Sequence, residues 1–236
     1  MWKFGGRQEK ANKVGAVLSK YAKEIAVAAK LGGADMNANA RLRAAVEAAR
    51  KVSMSRETIE RNIKKGAGLL DEKMEYETVF YEGFTPHKVP VIVECLTDNK
   101  NRTAADVRVL FRKGQLGSGG SVTWMFDRVG IVEANHKEKK DIEEAAIEAG
   151  AQNVEALEKA DMGEGASGGR FFTEVTDLDA VGKALTAMGW NITTSEISYI
   201  AKNMMDISED QRKEVTEFLG AIDDHDDVHR IYTAIK

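Results

Sequence analysis

The spacing of apolar residues changes near residue 71, and this change limits the folds that the chain can adopt. Before it, apolar side chains recur every three or four residues, as they do on one face of a helix. Three helices are predicted from this spacing, separated by glycines and by a serine-containing turn: 10–31, 39–52 and 55–65. The first part of the chain is therefore predicted to be a small helical bundle.

After residue 71 the pattern becomes that of strands alternating with helices. Four segments rich in Val, Ile and aromatic residues are predicted strands: 75–84, 89–97, 121–126 and 129–134. The segment 101–113 among them carries apolar residues at helical spacing. A second series of the same character follows, with helices at 139–149 and 178–188 and strands near 154–159, 170–175 and 192–200.

A closing helix at 208–222 and a strand at 228–235 follow this second series, so we expect the chain to return to the first sheet. The sequence thus predicts an α+β fold of three domains. An N-terminal helical bundle precedes two α+β domains of ferredoxin-like type, the third inserted in the second. The predicted domains are the bundle at 1–72, a discontinuous middle domain at 73–134 and 202–236, and the inserted domain at 135–201.

The charges of the chain are divided unevenly between these domains. Residues 1–70 hold 15 Lys and Arg against 6 Asp and Glu, a net charge of +9, whereas residues 71–236 hold 19 against 32, a net charge of −13. A basic domain on an acidic body suggests that the bundle binds a polyanion. The open alternative is a helical domain that is rich in Lys and Arg for solubility alone.

Cations are densest in the second and third predicted helices, where eight Lys and Arg lie within 25 residues and only three Glu oppose them. Several phosphate contacts of this kind release counterions and support binding. Arg102 joins the candidates because a cation in the first turn of a helix opposes the helix dipole and needs another explanation. The predicted nucleic-acid-binding residues are Lys10, Lys13, Arg41, Arg43, Arg50, Lys51, Arg56, Arg61, Lys64, Lys65 and Arg102.

The second and third predicted helices are joined by a short turn, an arrangement that resembles helix-turn-helix DNA-binding modules. Any helical hairpin shows the same pattern, however. The third helix also lacks an obvious set of Asn, Gln and Arg side chains at its start that would read bases. The sequence therefore favours recognition of nucleic-acid shape and backbone over recognition of base sequence.

Signatures of enzymes and of membrane proteins are absent from the sequence. No apolar stretch approaches the roughly 20 residues that cross a bilayer, and the single cysteine cannot form an internal disulfide. The four histidines follow no zinc-ligand or nucleophile pattern, and the glycine-rich segment 114–120 leads from a helix into a strand, the reverse of a phosphate-binding loop. We predict a cytoplasmic, non-enzymatic protein without a cofactor, a metal or a small-molecule substrate.

Four aspartates within residues 223–227 form an acidic cluster near the end of the chain. Carboxylates suit Mg²⁺ or Ca²⁺, but the cluster lacks the ligand spacing and the central glycine of an EF-hand loop. Two alternatives are left open by the sequence. The cluster could repel RNA or dock on a basic protein, or it could be a solvated connection between a helix and a strand.

Several segments resemble the YebC family of bacterial proteins. The run TDNKNRTAADVR at 97–108 is long enough to be specific, and the similarity extends over nearly the whole chain. The other matching segments are RLRAAVEAARKVSMSRETIERNIKKGAG (41–68), YEGF (81–84), ECL (94–96), SVTWMF (121–126), DDV (226–228) and IYT (231–233).

The resemblance implies a helical N-terminal domain and two α+β domains around a cleft. Members of the family are described as DNA-binding transcriptional regulators, and relatives such as the mitochondrial translational activator of cytochrome oxidase are similar to ribosome-associated translation factors. Two hypotheses follow. The protein is a DNA-binding transcriptional regulator, or it is a translation factor that binds ribosomal RNA on the ribosome and relieves stalling. Both require the basic surface that the charge distribution places in residues 1–70.

Overall fold

The computed structural model describes residues 5–70, 76–157 and 166–236, with side chains from residue 15 onward. Three helices form the N-terminal bundle: α1 (Gly5–Gly32), α2 (Ala40–Lys51) and α3 (Arg56–Gly66). Their apolar faces meet in a core that includes Ile25, Leu42, Val46 and Ile59. The predicted bundle is therefore present. No helix in the described parts of the chain is long and apolar enough to cross a membrane.

Two residues determine how these three helices meet. Asn39 precedes α2: its side-chain oxygen accepts a hydrogen bond from the Leu42 N–H at 3.0 Å, and its amide donates to the Ala28 carbonyl of α1 at 2.8 Å. At the end of α3, Gly66 lies so close to α1 that a Cβ at this position would be 2.1 Å from the carbonyl oxygen of Ala26. A cap and a close backbone approach thus hold the bundle in one arrangement.

Four strands form the first sheet: β1 (Glu77–Phe84), β2 (Pro90–Thr97), β3 (Gln115–Leu116) and β8 (Val228–Thr233). They are antiparallel, in the order β3-β1-β2-β8. Helices α4 (Lys100–Leu110) and α7 (Glu209–Asp223) cover one face, where the rings of Phe111 and Phe218 meet edge to face with centroids 5.4 Å apart. The strand β2 is buried along its whole length, which explains its nearly continuous apolar sequence.

Four more strands form the second sheet: β4 (Phe126–His136), β5 (Asn153–Ala156), β6 (Ser167–Thr173) and β7 (Asn191–Ala201). Their order is β5-β6-β4-β7, and all neighbours are antiparallel. Helices α5 (Ile142–Ala149) and α6 (Leu178–Ala187) pack on one face around Phe171, Leu185 and Trp190. This succession of strands and helices is the ferredoxin-like arrangement. Together with the bundle and the first sheet, it confirms the predicted α+β fold.

The chain crosses back to the first sheet after β7. The strand β8 pairs with β2, Val91 lying opposite Thr233 and Val93 opposite Ile231. The strand β4, which begins at Phe126, pairs with β6 and β7 of the second sheet. The division into three domains with the predicted bounds stays a prediction.

The structure corrects one predicted strand pair. The segment 121–126 contains a 3₁₀ turn, Thr123–Met125, and β4 then runs without interruption through Asp127 and Arg128, which were predicted to separate the strands 121–126 and 129–134. The physical reason is Glu82 of β1, whose carboxylate accepts the backbone N–H groups of residues 120, 122 and 123. Those donors are therefore not available to a neighbouring strand.

Candidate nucleic-acid interface

Five of the predicted cations are exposed on the outer side of α2 and α3. Arg50 and Lys51 end α2, and Arg56, Arg61 and Lys64 follow along α3. The bundle core takes up the apolar residues of both helices, so the charged side chains are turned towards the solvent. Five exposed cations thus lie within residues 50–64, interspersed with the exposed Glu57 and Glu60.

The cap at the start of α3 and the cations in its last turn stabilise the helix, whereas Arg56 in its first turn opposes the helix dipole. Ser55 caps its start, where the side-chain oxygen accepts the Thr58 N–H at 3.2 Å, and Lys64 and Lys65 lie in the last turn. The ammonium of Lys65 also lies over the ring of Tyr76, 5.9 Å from its centre. Local sequence thus explains both the helix and the positive charge at its C-terminal end.

Arg56 is highly exposed, with 90% of its side chain accessible to solvent. Its Nε donates to Glu60 Oε1, one turn along the helix, at 2.7 Å. The hydrogen bond and the opposite charge raise the pKa of Arg56 and lower the pKa of Glu60. Because exposed pairs of this kind contribute little to stability, the guanidinium can exchange Glu60 for a phosphate without disturbing the fold.

Arg41, in contrast, belongs to a buried ion pair. Its Nε and Nη2 donate to the two carboxylate oxygens of Glu24 on α1, at 2.8 and 3.1 Å, and Nε2 of His229 on β8 lies 3.0 Å from the same carboxylate. Burial alone would raise the pKa of Glu24, but the nearby ring of His229 and the charge and hydrogen bonds of Arg41 hold it far below its usual range. Arg41 therefore already has an anionic partner within the bundle, and the same Glu24 carboxylate lies beside His229 of the first sheet.

Arg102 also has carboxylate partners within the chain. Its Nη2 donates to Asp227 Oδ2 and to Asp98 Oδ1, each at 2.9 Å, and these hydrogen bonds raise the pKa of the guanidinium. Two acidic side chains thus compensate the unfavourable position of this cation in the first turn of α4. A phosphate contact by Arg102 stays a prediction. The two ion pairs explain why a cation occupies this position without a nucleic-acid ligand.

The acidic cluster at 223–227 holds the bundle against the first sheet. Lys20 on α1 donates to Asp223 Oδ1 at 3.1 Å, and Lys23 donates to Asp227 Oδ1 at 2.6 Å. These lysines were absent from the predicted candidates because their partners lie more than 200 positions away in the sequence. Within the described ranges, no group of three His, Cys, Asp or Glu side chains is placed to hold a metal ion. The cluster is an internal docking site for the cations of α1.

The remaining predicted residues lie at the edges of the bundle. Arg43 is partly buried, donates to the Met36 carbonyl at 3.4 Å, and lines a cavity of about 120 Å³ between α2 and α6. Lys10 and Lys13 belong to the first half of α1, and their side chains lie outside the described residues.

A cleft of about 470 Å³ separates the bundle from the second sheet. Lys51 and Glu47 of α2 line one wall, and Arg170 and Glu133 of the sheet line the other, with Arg170 donating to Glu133 at 2.8 Å. Because both walls carry charges of both signs, the cleft favours no single ionic ligand. The predominantly positive surface lies on the outer side of α2 and α3.

Family models match both parts of the chain. Residues 6–69 match the TACO1/YebC protein N-terminal domain, and residues 76–235 match the TACO1/YebC second and third domain. The chain belongs to the TACO1/YebC family. These two matches divide it between the end of α3 and the start of β1, where the helical pattern of the sequence changes to strands.

Known members of the TACO1/YebC family are similar to this chain along its full length. A "Probable transcriptional regulatory protein Bd1964" of Bdellovibrio bacteriovorus is 53% identical, over 99% of this chain and 98% of the relative. A protein of Pseudomonas savastanoi pv. phaseolicola, also called "Probable transcriptional regulatory protein", is 51% identical over 99% and 97%. The crystal structure of a conserved hypothetical protein, Aq1575, from Aquifex aeolicus has a TM-score of 0.75 and 37% identity, covering 94% of this chain and 90% of that one.

Proposed function

We propose that this TACO1/YebC protein binds a nucleic acid through the outer side of α2 and α3 and thereby regulates gene expression. The observation that carries the proposal is the state of Arg50, Lys51 and Lys64. All three are exposed, and none of them forms an ion pair with another residue in the described part of the chain. Unpaired cations on a folded surface bind phosphates and release the condensed counterions.

The internal ion pairs support this assignment by accounting for other cations of the bundle. Lys20 and Lys23 hold the bundle to the rest of the molecule through Asp223 and Asp227, and Arg41 joins α2 to α1 through Glu24. The outer side of α2 and α3 is therefore the part of the bundle whose cations are available to bind a polyanion. The net charge of −13 on residues 71–236 repels duplex nucleic acid from most of the remaining surface and so favours binding at this face.

The first candidate ligand is duplex DNA, which the protein would bind as a transcriptional regulator. The name shared by the relatives from Bdellovibrio and Pseudomonas supports this choice. The connection between α2 and α3 spans residues 52–55, a length compatible with a helix-turn-helix module. In this proposal the bundle docks on the phosphate backbone, and the two α+β domains contact proteins or shape the bound complex.

The second candidate is ribosomal RNA, bound by a ribosome-associated translation factor that relieves stalling. One observation favours it: Arg56, at the start of α3, is paired with Glu60, and Glu57 lies beside it in the first turn. This end of α3 therefore offers few free donors to base edges in a major groove. Recognition of backbone and shape suits structured RNA at least as well as a specific DNA site.

A charge-reversal variant tests the proposal. Arg50→Glu, Lys51→Glu and Lys64→Glu are combined, and the matched control reverses three exposed cations of the acidic body, Lys137, Lys139 and Lys213. Binding to a duplex DNA and co-sedimentation with ribosomes are measured across a salt series. The bundle variant should lose binding, and the slope of log affinity against log salt should fall by about 2.7 for duplex DNA.

The two ligands are distinguished in the same series. Ribosome binding at physiological salt with weak, sequence-independent DNA binding identifies a translation factor. A DNA site bound at least about a thousandfold above background, without ribosome binding, identifies a transcriptional regulator. If the bundle variant binds both ligands as well as the control variant does, the proposed face is wrong.

A further inference from the structure

A second group of unpaired cations lies within the acidic body. The segment 107–126 contains Arg108, Arg112 and Lys113 but not one Asp or Glu, although the chain beyond residue 70 has a net charge of −13. All three side chains are exposed, and none pairs with an acidic residue in the ranges that the structure describes. The polypeptide that follows them is the glycine-rich segment 114–120.

This segment is held in place by one residue of β1. The carbonyl of Glu82 accepts the Gly117 N–H at 2.8 Å, and its buried carboxylate accepts those of Gly120 at 2.7 Å and of Val122 and Thr123 at 2.9 Å. Burial would raise the pKa of Glu82, but these hydrogen bonds hold it below its ordinary value. The carboxylate therefore stays ionised at neutral pH, and the loop has a fixed shape before any ligand arrives.

The loop presents Trp124 to the solvent. Val122 and Phe126 on either side of it are buried, whereas 65% of Trp124 is exposed. Its indole Nε1 donates to the Ser121 carbonyl at 3.1 Å, which fixes the orientation of the ring. An exposed and oriented indole costs little conformational entropy when a flat ligand stacks on it.

The surroundings of the indole suit a base better than a protein side chain. Of the loop residues before it, Gly119 and Gly120 have open space where a Cβ would stand. Hot-spot tryptophans of protein interfaces sit among well-packed neighbours, and Gly119 and Gly120, a few residues before Trp124, have no side chains that could supply such packing. Glycines instead allow a planar ring and its phosphate to approach the backbone closely.

We propose that residues 112–124 form a contact for a single-stranded nucleic acid, in which a base stacks on Trp124 while Arg112 and Lys113 bind phosphates. The contact is additional to the bundle face, and only the class of ligand rests on the proposed function. Stacking platforms flanked by cations are the general means by which proteins bind unpaired strands. The contact lets one molecule hold a duplex through the bundle and an unpaired segment through this loop.

The test uses the full chain with three fluorescein-labelled probes: a 12-nucleotide oligouridylate, the matching oligodeoxythymidylate and a duplex DNA. The variants are Trp124→Ala, Trp124→Phe and the pair Arg112→Gln with Lys113→Gln. Ile147→Ala on α5 is the matched control, since that apolar side chain is 81% exposed. A cooperative thermal unfolding transition, measured for each variant, serves as the check that the variant is folded.

Trp124→Ala should weaken binding of the single-stranded probes about tenfold, a typical effect of losing one stacked base. Trp124→Phe should stay within about threefold of wild type, because a phenyl ring still stacks. Duplex binding should not change. The Arg112 and Lys113 variant should lower the salt slope for single strands by about 1.4. The two single-stranded probes tell whether RNA or DNA is preferred.

Single-stranded binding by Trp124→Ala within twofold of wild type overturns the proposal. So does unchanged oligonucleotide binding combined with loss of ribosome co-sedimentation, since that result assigns the indole to a protein partner. The bundle variant separates the two proposals. If it keeps duplex binding while Trp124→Ala loses single strands, the bundle face is wrong and the loop contact stands.

Discussion

Lys23 Nζ lies 2.6 Å from Asp227 Oδ1, and this buried ion pair joins the first helix to a loop 204 positions later in the chain. The same carboxylate accepts hydrogen bonds from Arg102 at 2.9 Å and from Thr103 at 2.8 Å. Burial would raise the pKa of Asp227, but these partners hold it far below its usual range. Asp227 thereby connects the bundle, α4 and the approach to β8.

Replacing this carboxylate should destabilise the protein. In Asp227→Asn, the ammonium of Lys23 keeps its charge in a nearly buried position without an anion, which costs on the order of 3 kcal/mol. The matched control is Asp223→Asn, whose side chain is largely exposed and pairs with Lys20. That change should cost less than about 1 kcal/mol. Unfolding in urea measures both, and equal effects would contradict a central role for Asp227.

Glu24 should make stability depend on pH in the acid range. Its folded pKa lies below the unfolded value, so the ionised carboxylate stabilises the fold fully above about pH 4.3. This contribution is lost as the pH falls through the lower folded value. The difference in Tm between wild type and Glu24→Gln should therefore be largest near pH 7 and shrink below pH 4.

Calorimetric or fluorescence melting curves from pH 7 to pH 3 give this difference. Glu217→Gln on α7 serves as the control, because Glu217 is exposed and its carboxylate forms no ion pair in the part of the chain that the structure describes. Its Tm should follow that of wild type at every pH. A Glu24→Gln difference that stays constant over the whole range would contradict the assigned role of the carboxylate.

Gly66→Ala should disrupt the packing of α3 on α1. The added Cβ would meet the Ala26 carbonyl oxygen at 2.1 Å, and a backbone atom cannot move aside without shifting the helix. The expected loss is about 1–3 kcal/mol, as for other overpacked contacts. Gly15→Ala on α1 has open space and should instead stabilise by up to about 1 kcal/mol. Denaturant midpoints that move in the same direction for both variants would contradict the close approach.

Cys95 should be unreactive in the folded protein. Burial, with the nearby charges of Asp227 and Glu94, raises the pKa of its thiol to about 12. At pH 8 only about one molecule in ten thousand would carry the reactive thiolate. A chromogenic disulfide reagent should therefore report no fast reaction under native conditions and one equivalent of thiol in guanidinium. Rapid native labelling would show that β2 is not buried as described.

Local pattern was enough to predict the elements of this protein and its basic domain. The three bundle helices, β1, β2 and the ferredoxin-like series arise from apolar periodicity, caps and glycine stops, which act within a few residues. The strand predicted at 121–126 was wrong because Glu82, forty positions earlier, accepts the donors that a strand would need. The pattern of residues 121–126 is that of a strand, but hydrogen bonds to Glu82, which is distant in the sequence, determine the conformation that the segment adopts.

The roles of the charged side chains could not be read in the same way. The sequence placed Arg41, Arg50, Arg56 and Arg102 in one class of cations. The structure separates them. Arg41 forms an ion pair with Glu24, and Arg102 forms ion pairs with Asp98 and Asp227. Arg50 forms no ion pair in the described chain. Periodicity and composition determine which residues are buried, because these depend on neighbours along the helix or strand. Only the tertiary structure decides which cations remain for a ligand, because pairs such as Arg41 with Glu24 and Arg102 with Asp227 join residues that folding brings together.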